Sequence, residues 1–336
     1  MKIIVDALGG DNAPLEILKG CQMAVKELNV EIALAGDEEK IKKCAEENGI
    51  SLHKMELIGG GDEMDMHAEP ATILKENSTT SMAAGLKALS EGKGDAFVSA
   101  GSTGALAVGA TFIVKRLKGV KRPCIGSVMP SSDKPFMLLD CGANAECRPE
   151  MLRCFGVMGS TYMKQVMKME SPRVALANIG TEPEKGGELQ KAAYALLNEE
   201  KNCNFIGNIE ARDIPFGKAD VVVADGFTGN MLLKMYEGTA LALMKNIKGI
   251  FMKSIITKLS ALMLKSGLSD FKKKMDYTEY GGAALLGVRK PVIKAHGSSN
   301  AKAFKNAIRQ AVLFAETGVN EKITEAMEAE AEKAAL

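Results

Sequence analysis

The sequence predicts an α/β fold, a doubly wound three-layer sandwich in which one parallel sheet is covered by helices on both faces. Three observations lead there. Short β-branched runs alternate with longer stretches of helical spacing, and Gly, Ser, Asn and Asp stand at the junctions. Most of the short runs are continuously apolar, as strands buried on both faces are.

In chain order, a strand at 3–6 leads through Gly9-Gly10-Asp11 to a helix over 14–28, and a strand at 32–35 leads to a helix over 38–48. A third strand at 55–58 is followed, after a polar stretch, by a helix over 78–91. The run at 96–99 passes through Gly101-Ser102-Thr103-Gly104 into a helix over 103–117, and that at 136–140 through Gly142-Ala143-Asn144 into one over 149–170. A strand at 174–178 ends in Asn178-Ile179-Gly180-Thr181 before a helix over 186–200, and a short strand follows at 205–207. The strand at 221–224 turns through Asp225-Gly226-Phe227-Thr228-Gly229-Asn230 into a helix over 228–250. The last strand, 292–295, ends in His296-Gly297-Ser298-Ser299-Asn300 before a helix over 300–315. From Glu316 on the chain is rich in Glu and Ala and reads as a solvated helix that frays at its end.

The 336 residues are 46% hydrophobic, enough for a sizeable core, and no ten-residue segment has linker composition. One continuous domain over 1–336 is expected, with a helical insertion at 245–275. There eight lysines face the single acid Asp270, so a segment of net +7 is balanced by −6 in the rest of a chain of net +1. That overall balance gives no field for nucleic acid. The apolar positions of the insertion keep an imperfect helical spacing, which suits an interfacial membrane helix, a docking face for an acidic partner, or a dimer arm with a solvated basic side. The opening run Met1–Asp6 is too short for a signal peptide, and the stretch 240–264 is broken by lysines, so a cytoplasmic protein without a spanning helix is expected. The seven cysteines contain no Cys-x-x-Cys pair and read as reduced thiols.

Six strand ends carry small or amide residues, and in a parallel sheet such ends lie along one edge. Glycine admits a phosphate close to the backbone, and helix starts offer N–H donors, although βα turns favour the same residues for turn and capping reasons alone. There is no Gly-x-Gly-x-x-Gly after the first strand, no phosphate-loop motif and no Gly-x-Ser-x-Gly elbow. His53, His67 and His296 have no metal-site spacing, and His296, before a helix-opening Gly-Ser-Ser, is the one placed for anion contact or proton transfer, a position that suits a capping role nearly as well.

Read with their neighbours, these turns resemble the phosphate acyltransferases of bacterial phospholipid synthesis, the acyl-[acyl carrier protein]:phosphate transacylase family. The carrying motifs are Asp6-Ala7-Leu8-Gly9-Gly10-Asp11 with Pro14, Ser99 to Leu106, and Leu139 to Asn144 with Cys147 and Pro149. They continue through Asn178 to Glu182 with Lys185-Gly186, Gly207 to Glu210, Asp225 to Asn230, Tyr280 to Ala283, and Ala295 to Ser299. Ser102 stands where the family often has Asn, and 77–82 is a looser version of its polar turn.

The resemblance implies a homodimer with a fold similar to isocitrate and isopropylmalate dehydrogenases and to phosphotransacetylases. It implies a reaction without a cofactor, in which an acyl carrier protein thioester and inorganic phosphate give acyl phosphate for a membrane glycerol-3-phosphate acyltransferase. The Lys-rich insertion would rest on the membrane surface. The runners-up are a phosphotransacetylase or phosphotransbutyrylase acting on a short acyl-CoA, and a non-catalytic peripheral scaffold.

The chemistry agrees with a site lacking a triad. Phosphate, with a second pKa of about 6 by analogy with phosphoesters, is already largely dianionic, and a thiolate of pKa ~8.5 leaves with little help. Positioning and oxyanion donors are what the protein must supply. Phosphate is expected at Gly101–Gly104 and Gly226–Asn230, with Gly9, Gly10, Asp11, Asp225, Thr228 and Ser298 framing the substrate. Asn144, Asn178 and His296 would orient phosphate or stabilise the oxyanion, and Lys185 or Lys294 would supply cationic charge.

Overall fold

The computed structural model describes residues 1–268, 271 and 277–334. Among these, eleven strands form one sheet. The first half alternates β1 (Lys2–Asp6), α1 (Leu15–Leu28), β2 (Glu31–Ala35), α2 (Glu38–Glu47), β3 (Met55–Leu57), α3 (Ser81–Ser90), β4 (Ala96–Ser99) and α4 (Thr103–Gly109). The second contains β5 (Cys124–Met129), β6 (Phe136–Leu139), α5 (Pro149–Gln165), β7 (Arg173–Asn178), α6 (Glu188–Glu199), β8 (Asn204–Glu210), β9 (Val221–Val223), α7 (Gly226–Phe251) and α8 (Ile255–Met263). The chain then returns through β10 (Ala283–Leu286) and β11 (Val292–Lys294) to α9 (Ala301–Glu316) and α10 (Val319–Ala334).

Side chains alternate across the sheet into two cores. Ile3 and Val5 of β1 enter one, with Leu18 of α1, Phe155 of α5 and Phe304 of α9, while Ile4 enters the other, with Leu86 of α3 and Leu106 of α4. The three-layer reading therefore describes the packing. The expectation of one parallel sheet does not, because the strand order is β3-β2-β1-β4-β11-β10-β5-β6-β9-β7-β8 and β10 and β5 each pair antiparallel with both neighbours. These two strands reverse the sense of the sheet, so the parallel set β6-β9-β7-β8 runs opposite to β3-β2-β1-β4-β11.

The sequence reading missed both reversing strands. The first, Cys-Ile-Gly-Ser-Val-Met, is interrupted by Gly126, which lies so close to β6 that a Cβ there would sit 2.6 Å from Leu139 Cδ2. The second, Ala-Ala-Leu-Leu, has helix-favouring composition.

The reversal decides where the strand ends meet. One row across the sheet runs through Val98, Ile293, Ala284, Gly126, Leu139 and Val223. β4 and β11 end one residue beyond this row from one direction, and β6 and β9 end on it from the other. The six small-residue turns thus lie three on each side, after β1, β4 and β11 and after β6, β7 and β9, rather than along one edge.

Three helical expectations change in detail. The helix expected over 103–117 is α4 followed by a π turn at Ala110–Val114. The C-terminal helix is not wholly solvated, since Val319, Ile323 and Met327 are buried in the core that holds α5. The Lys-rich segment begins inside α7, a 26-residue helix that starts at the end of β9. Of its charges, Asp270 and the lysines at 272–274 lie outside the described residues.

Candidate active site

Two buried carboxylates build the turns on which the site rests. At the end of β1, Asp6 accepts hydrogen bonds from Ser99 Oγ at 2.6 Å and from the Gly9 N–H at 3.0 Å, and burial raises its pKa against these bonds. A Cβ on Gly9 would lie 2.2 Å from Asp6 Oδ2. Gly10 has φ +113°, and the Asp11 N–H donates to Gly297 O at 2.9 Å. The Gly101 N–H is taken by Ser99 Oγ at 3.0 Å, Ser102 caps α4, and Gly104 lies against Pro70. The turns after β1, β4 and β11 are thereby laced together.

After β6, Asp140 repeats the device. It accepts from the Ile125 N–H at 2.8 Å, the Ala143 N–H at 3.2 Å, the Asn144 N–H at 2.7 Å and Asn144 Nδ2 at 2.9 Å, and Gly142 has φ +113° like Gly10. Asn144 Nδ2 also donates to Pro123 O at 2.8 Å, so this side chain fastens the turn. The start of α7 is pressed onto the turn, with a Cβ on Gly229 falling 2.0 Å from Asp140 O and one on Gly226 2.4 Å from Asn144 O. Its first N–H groups are engaged, Gly226 with Asn144 O at 2.8 Å and Thr228 with Asp225 Oδ1 at 2.9 Å. Thr228 Oγ1 donates to Asp225 Oδ2 at 2.7 Å.

Where the two sets of strand ends converge lies an open cleft of about 450 Å³. Its polar side chains come from both halves: Asp11, Thr103, Lys294 and His296 from one, Ser127 of β5 with Asn230, Lys234 and Glu237 of α7 from the other. Lys294 Nζ donates to Ala100 O at 3.1 Å and to Ala295 O at 2.5 Å. Burial draws its pKa down to about 8, opposed by Asp6 and reinforced by Lys234. His296 Nδ1 accepts the Ser298 N–H at 3.2 Å and contacts Ser298 Oγ at 2.8 Å, which leaves the ring proton on Nε2. Partial burial of the ring, and then Lys234, hold its pKa below the ordinary imidazole value, so it is neutral at pH 7. Lys234 is paired with Glu237 at 2.8 Å.

Of the residues expected from sequence, the structure brings Asp11, Thr103, Asn230, Lys294 and His296 together in the cleft, and Ser298 acts on it through His296. Gly9, Gly10, Gly101, Ser102, Asp225, Gly226, Thr228 and Gly229 are its frame. Gly104 and Asn144 line an adjoining groove. Asn178 and Lys185 do not line the cleft: at the end of β7, Asn178 Nδ2 donates to Lys185 O at 3.1 Å and its Oδ1 accepts the Ile179 N–H at 2.8 Å. Sequence reasoning missed Ser127, Lys234 and Glu237. The last two were readable, because with Asn230 they fall at i, i+4 and i+7 on one face of a helix already expected there.

An α/β sheet split into two converging halves, with a cation-bearing cleft between them, is a fold similar to that of phosphotransacetylases. A phosphotransacetylase from Streptococcus pyogenes superposes with a TM-score of 0.62 at 16% identity, over 94% of each chain. A 4-hydroxythreonine-4-phosphate dehydrogenase from Klebsiella pneumoniae gives 0.55 at 12% identity, over 94% of this chain and 99% of the other, which places the fold among dehydrogenase-like sheets as well. A family model described as fatty acid synthesis protein matches residues 1–322. A phosphate acyltransferase from Lysinibacillus sphaericus is 48% identical over 327 residues, 97% of this chain and 98% of its own length. The chain belongs to the phosphate acyltransferase family.

Proposed function

We propose that the protein transfers a fatty acyl group from acyl-[acyl carrier protein] to inorganic phosphate. Beyond its family, the observation that carries this reading is the cleft itself, where Lys294, Lys234, the His296 Nε2–H and the Asn230 amide face one open space floored by Ser127 and Ile125. A dianion held there has cationic partners, and a thioester carbonyl laid against it has N–H donors for its developing oxyanion. A phosphate oxygen attacks the carbonyl carbon, the C–S bond breaks, and the proton of the hydrogen phosphate passes to the departing thiolate. The products are acyl phosphate and the free carrier thiol. No covalent enzyme intermediate is needed, since Cys141 in the cleft wall has its thiol pKa pushed far up by burial and donates to Leu138 O at 3.2 Å.

The acyl phosphate would supply a membrane glycerol-3-phosphate acyltransferase. Peripheral membrane association through α7 and α8 is part of the proposal, supported by Ile255 at 78% and Met263 at 86% exposure beside Lys258. No helix among the described residues is long and apolar enough to cross a membrane. The protein is proposed to act as a cytoplasmic homodimer.

The test is release of free thiol from a long-chain acyl carrier protein with and without phosphate, with acyl phosphate trapped as its hydroxamate. Phosphate-dependent release with hydroxamate is expected. Turnover of a short acyl-CoA in place of the carrier substrate would move the protein to the phosphotransacetylase reading, and silence with both would leave a scaffold.

A further inference from the structure

The chain carries no Asp or Glu between Asp95 and Asp133, yet that stretch holds Lys115, Arg116, Lys118, Lys121 and Arg122, all exposed. The segment is pinned to the turn after β10. The Leu117 N–H donates to Gly287 O at 2.9 Å, the Arg289 N–H donates to Lys115 O at 2.9 Å, and Arg116 bridges to Val288. This brings exposed Arg289 and Lys290 to the same loop. The acids near this face are Glu328, paired with Lys118 at 2.9 Å, Glu146 and Glu150, which share a cavity of about 510 Å³ with Lys121, Arg122 and Arg148, and Asp95, Glu316 and Glu321, which share one of about 500 Å³ with Arg289 and Lys290.

That cavity leads toward the cleft. It shares Arg122, Ala143 and Asn144 with a smaller groove of about 200 Å³, whose apolar wall is Pro70, Ala107, Val108, Phe112 and Pro123. The groove is also lined by Gly104 and Ala143, the immediate neighbours of Thr103 and Gly142 in the cleft. The basic surface and the apolar trough thus share residues, and the trough and the reaction site are lined by chain neighbours. A chain of net +1 has little long-range field, so a cation cluster of this density acts locally.

We propose that the 115–122 loop with Arg289 and Lys290 is the docking face for the acyl carrier protein, engaged through a carboxylate-rich surface of that partner. The thioester arm passes Arg122 and runs along the groove to the cleft. The inference rests on the acyl carrier reading above and adds where the carrier binds. It separates two tasks, with exposed apolar residues of α7 and α8 serving the lipid surface and the cation-rich loop serving the protein.

The test is a Lys115→Glu/Lys121→Glu double variant assayed with long-chain acyl carrier protein and, separately, with a small acyl-pantetheine thioester. The comparison is a Lys164→Glu/Lys201→Glu variant with the same net charge. The expected result is a rise of roughly tenfold or more in KM for the carrier substrate, steeply dependent on ionic strength, and at least tenfold greater than any change with the small thioester. An equal change with both thioesters, or the same change in the comparison variant, would overturn the proposal. So would unaltered carrier kinetics with loss of binding to vesicles of phosphatidylglycerol, which would give the loop to anionic lipid. If the wild type turns over no carrier substrate, the proposed reaction fails, and the docking claim is still decided by affinity for immobilised carrier protein. An unchanged affinity in the double variant would then overturn it.

Discussion

Replacing Lys294 by methionine separates what the cleft needs from what the fold needs. The drop from the ordinary lysine value of 10.5 to about 8 corresponds to roughly 3 kcal/mol of penalty on the charged form in the folded protein. A base whose folded pKa is depressed costs stability fully below the folded value, and that cost is relieved as pH rises from about 8 toward 10.5. Methionine removes the penalty but also the bonds to Ala100 O and Ala295 O, worth about 1 kcal/mol each. By urea unfolding the variant is therefore about 1 kcal/mol more stable than wild type at pH 7, and about 2 kcal/mol less stable near pH 10.5. Activity moves the other way, with kcat/KM for phosphate falling roughly a hundredfold at pH 7, as when a charge-stabilising donor is removed. A stability difference that stays flat over this pH range, or a variant with unaltered phosphate kinetics, would refute the reasoning.

Other expectations follow from the same geometry. Wild type is expected to lose phosphate affinity above pH 8 and Lys294→Arg to keep it, because guanidinium keeps its charge, and a retained limb would point to another group. His296→Ala lowers kcat and Asn230→Ala raises KM for phosphate, each by roughly tenfold or more, and unchanged steady-state constants in both would remove these residues from the site. Gly229→Ala forces a Cβ to within 2.0 Å of Asp140 O, so thermal unfolding should show a loss of about 3 kcal/mol or more. Ile255→Asp/Met263→Asp reduces co-sedimentation with anionic vesicles without altering the melting temperature, and equal binding would count against a membrane role for α8.

The strands that form the parallel halves were legible because burial on both faces demands unbroken apolar runs, and Ile3-Ile4-Val5 or Val221-Val222-Val223 admit little else. The direction of the sheet was not legible. It depends on Gly126 and on a four-residue Ala-Ala-Leu-Leu strand, where pairing with neighbours overrides local preference. Turn residues were found correctly as turns, yet composition could not distinguish a glycine that admits a ligand from one that admits a neighbouring carbonyl, as Gly226 and Gly229 do. Lys294 was visible as a lysine at a strand end. Its depressed pKa arises from burial between β4 and β10, where Nζ meets Ala100 O and feels Asp6 and Lys234, which no local pattern records.

The division of labour in the cleft follows from how the two buried carboxylates behind its turns are used. Asp6 and Asp140 are buried, and they accept the hydrogen bonds described for them from turn N–H groups, from the Ile125 N–H of β5 and from the side chains of Ser99 and Asn144. Each fixes a backbone path that a glycine at φ +113° completes. Groups bound so tightly cannot adapt to a dianion and a thioester in turn, but they hold Lys294, His296 and the first turns of α7 at fixed separation. The cations that would meet phosphate sit on that frame rather than in it, one on the last residue of β11 and one a helical turn beyond Asn230. Since β11 belongs to one parallel set and α7 leaves the other, a dianion held between Lys294 and Lys234 would bridge the two halves of the sheet. The reversal made by β10 and β5 brings those two strand ends onto one row, and with a single parallel sheet they could not face each other.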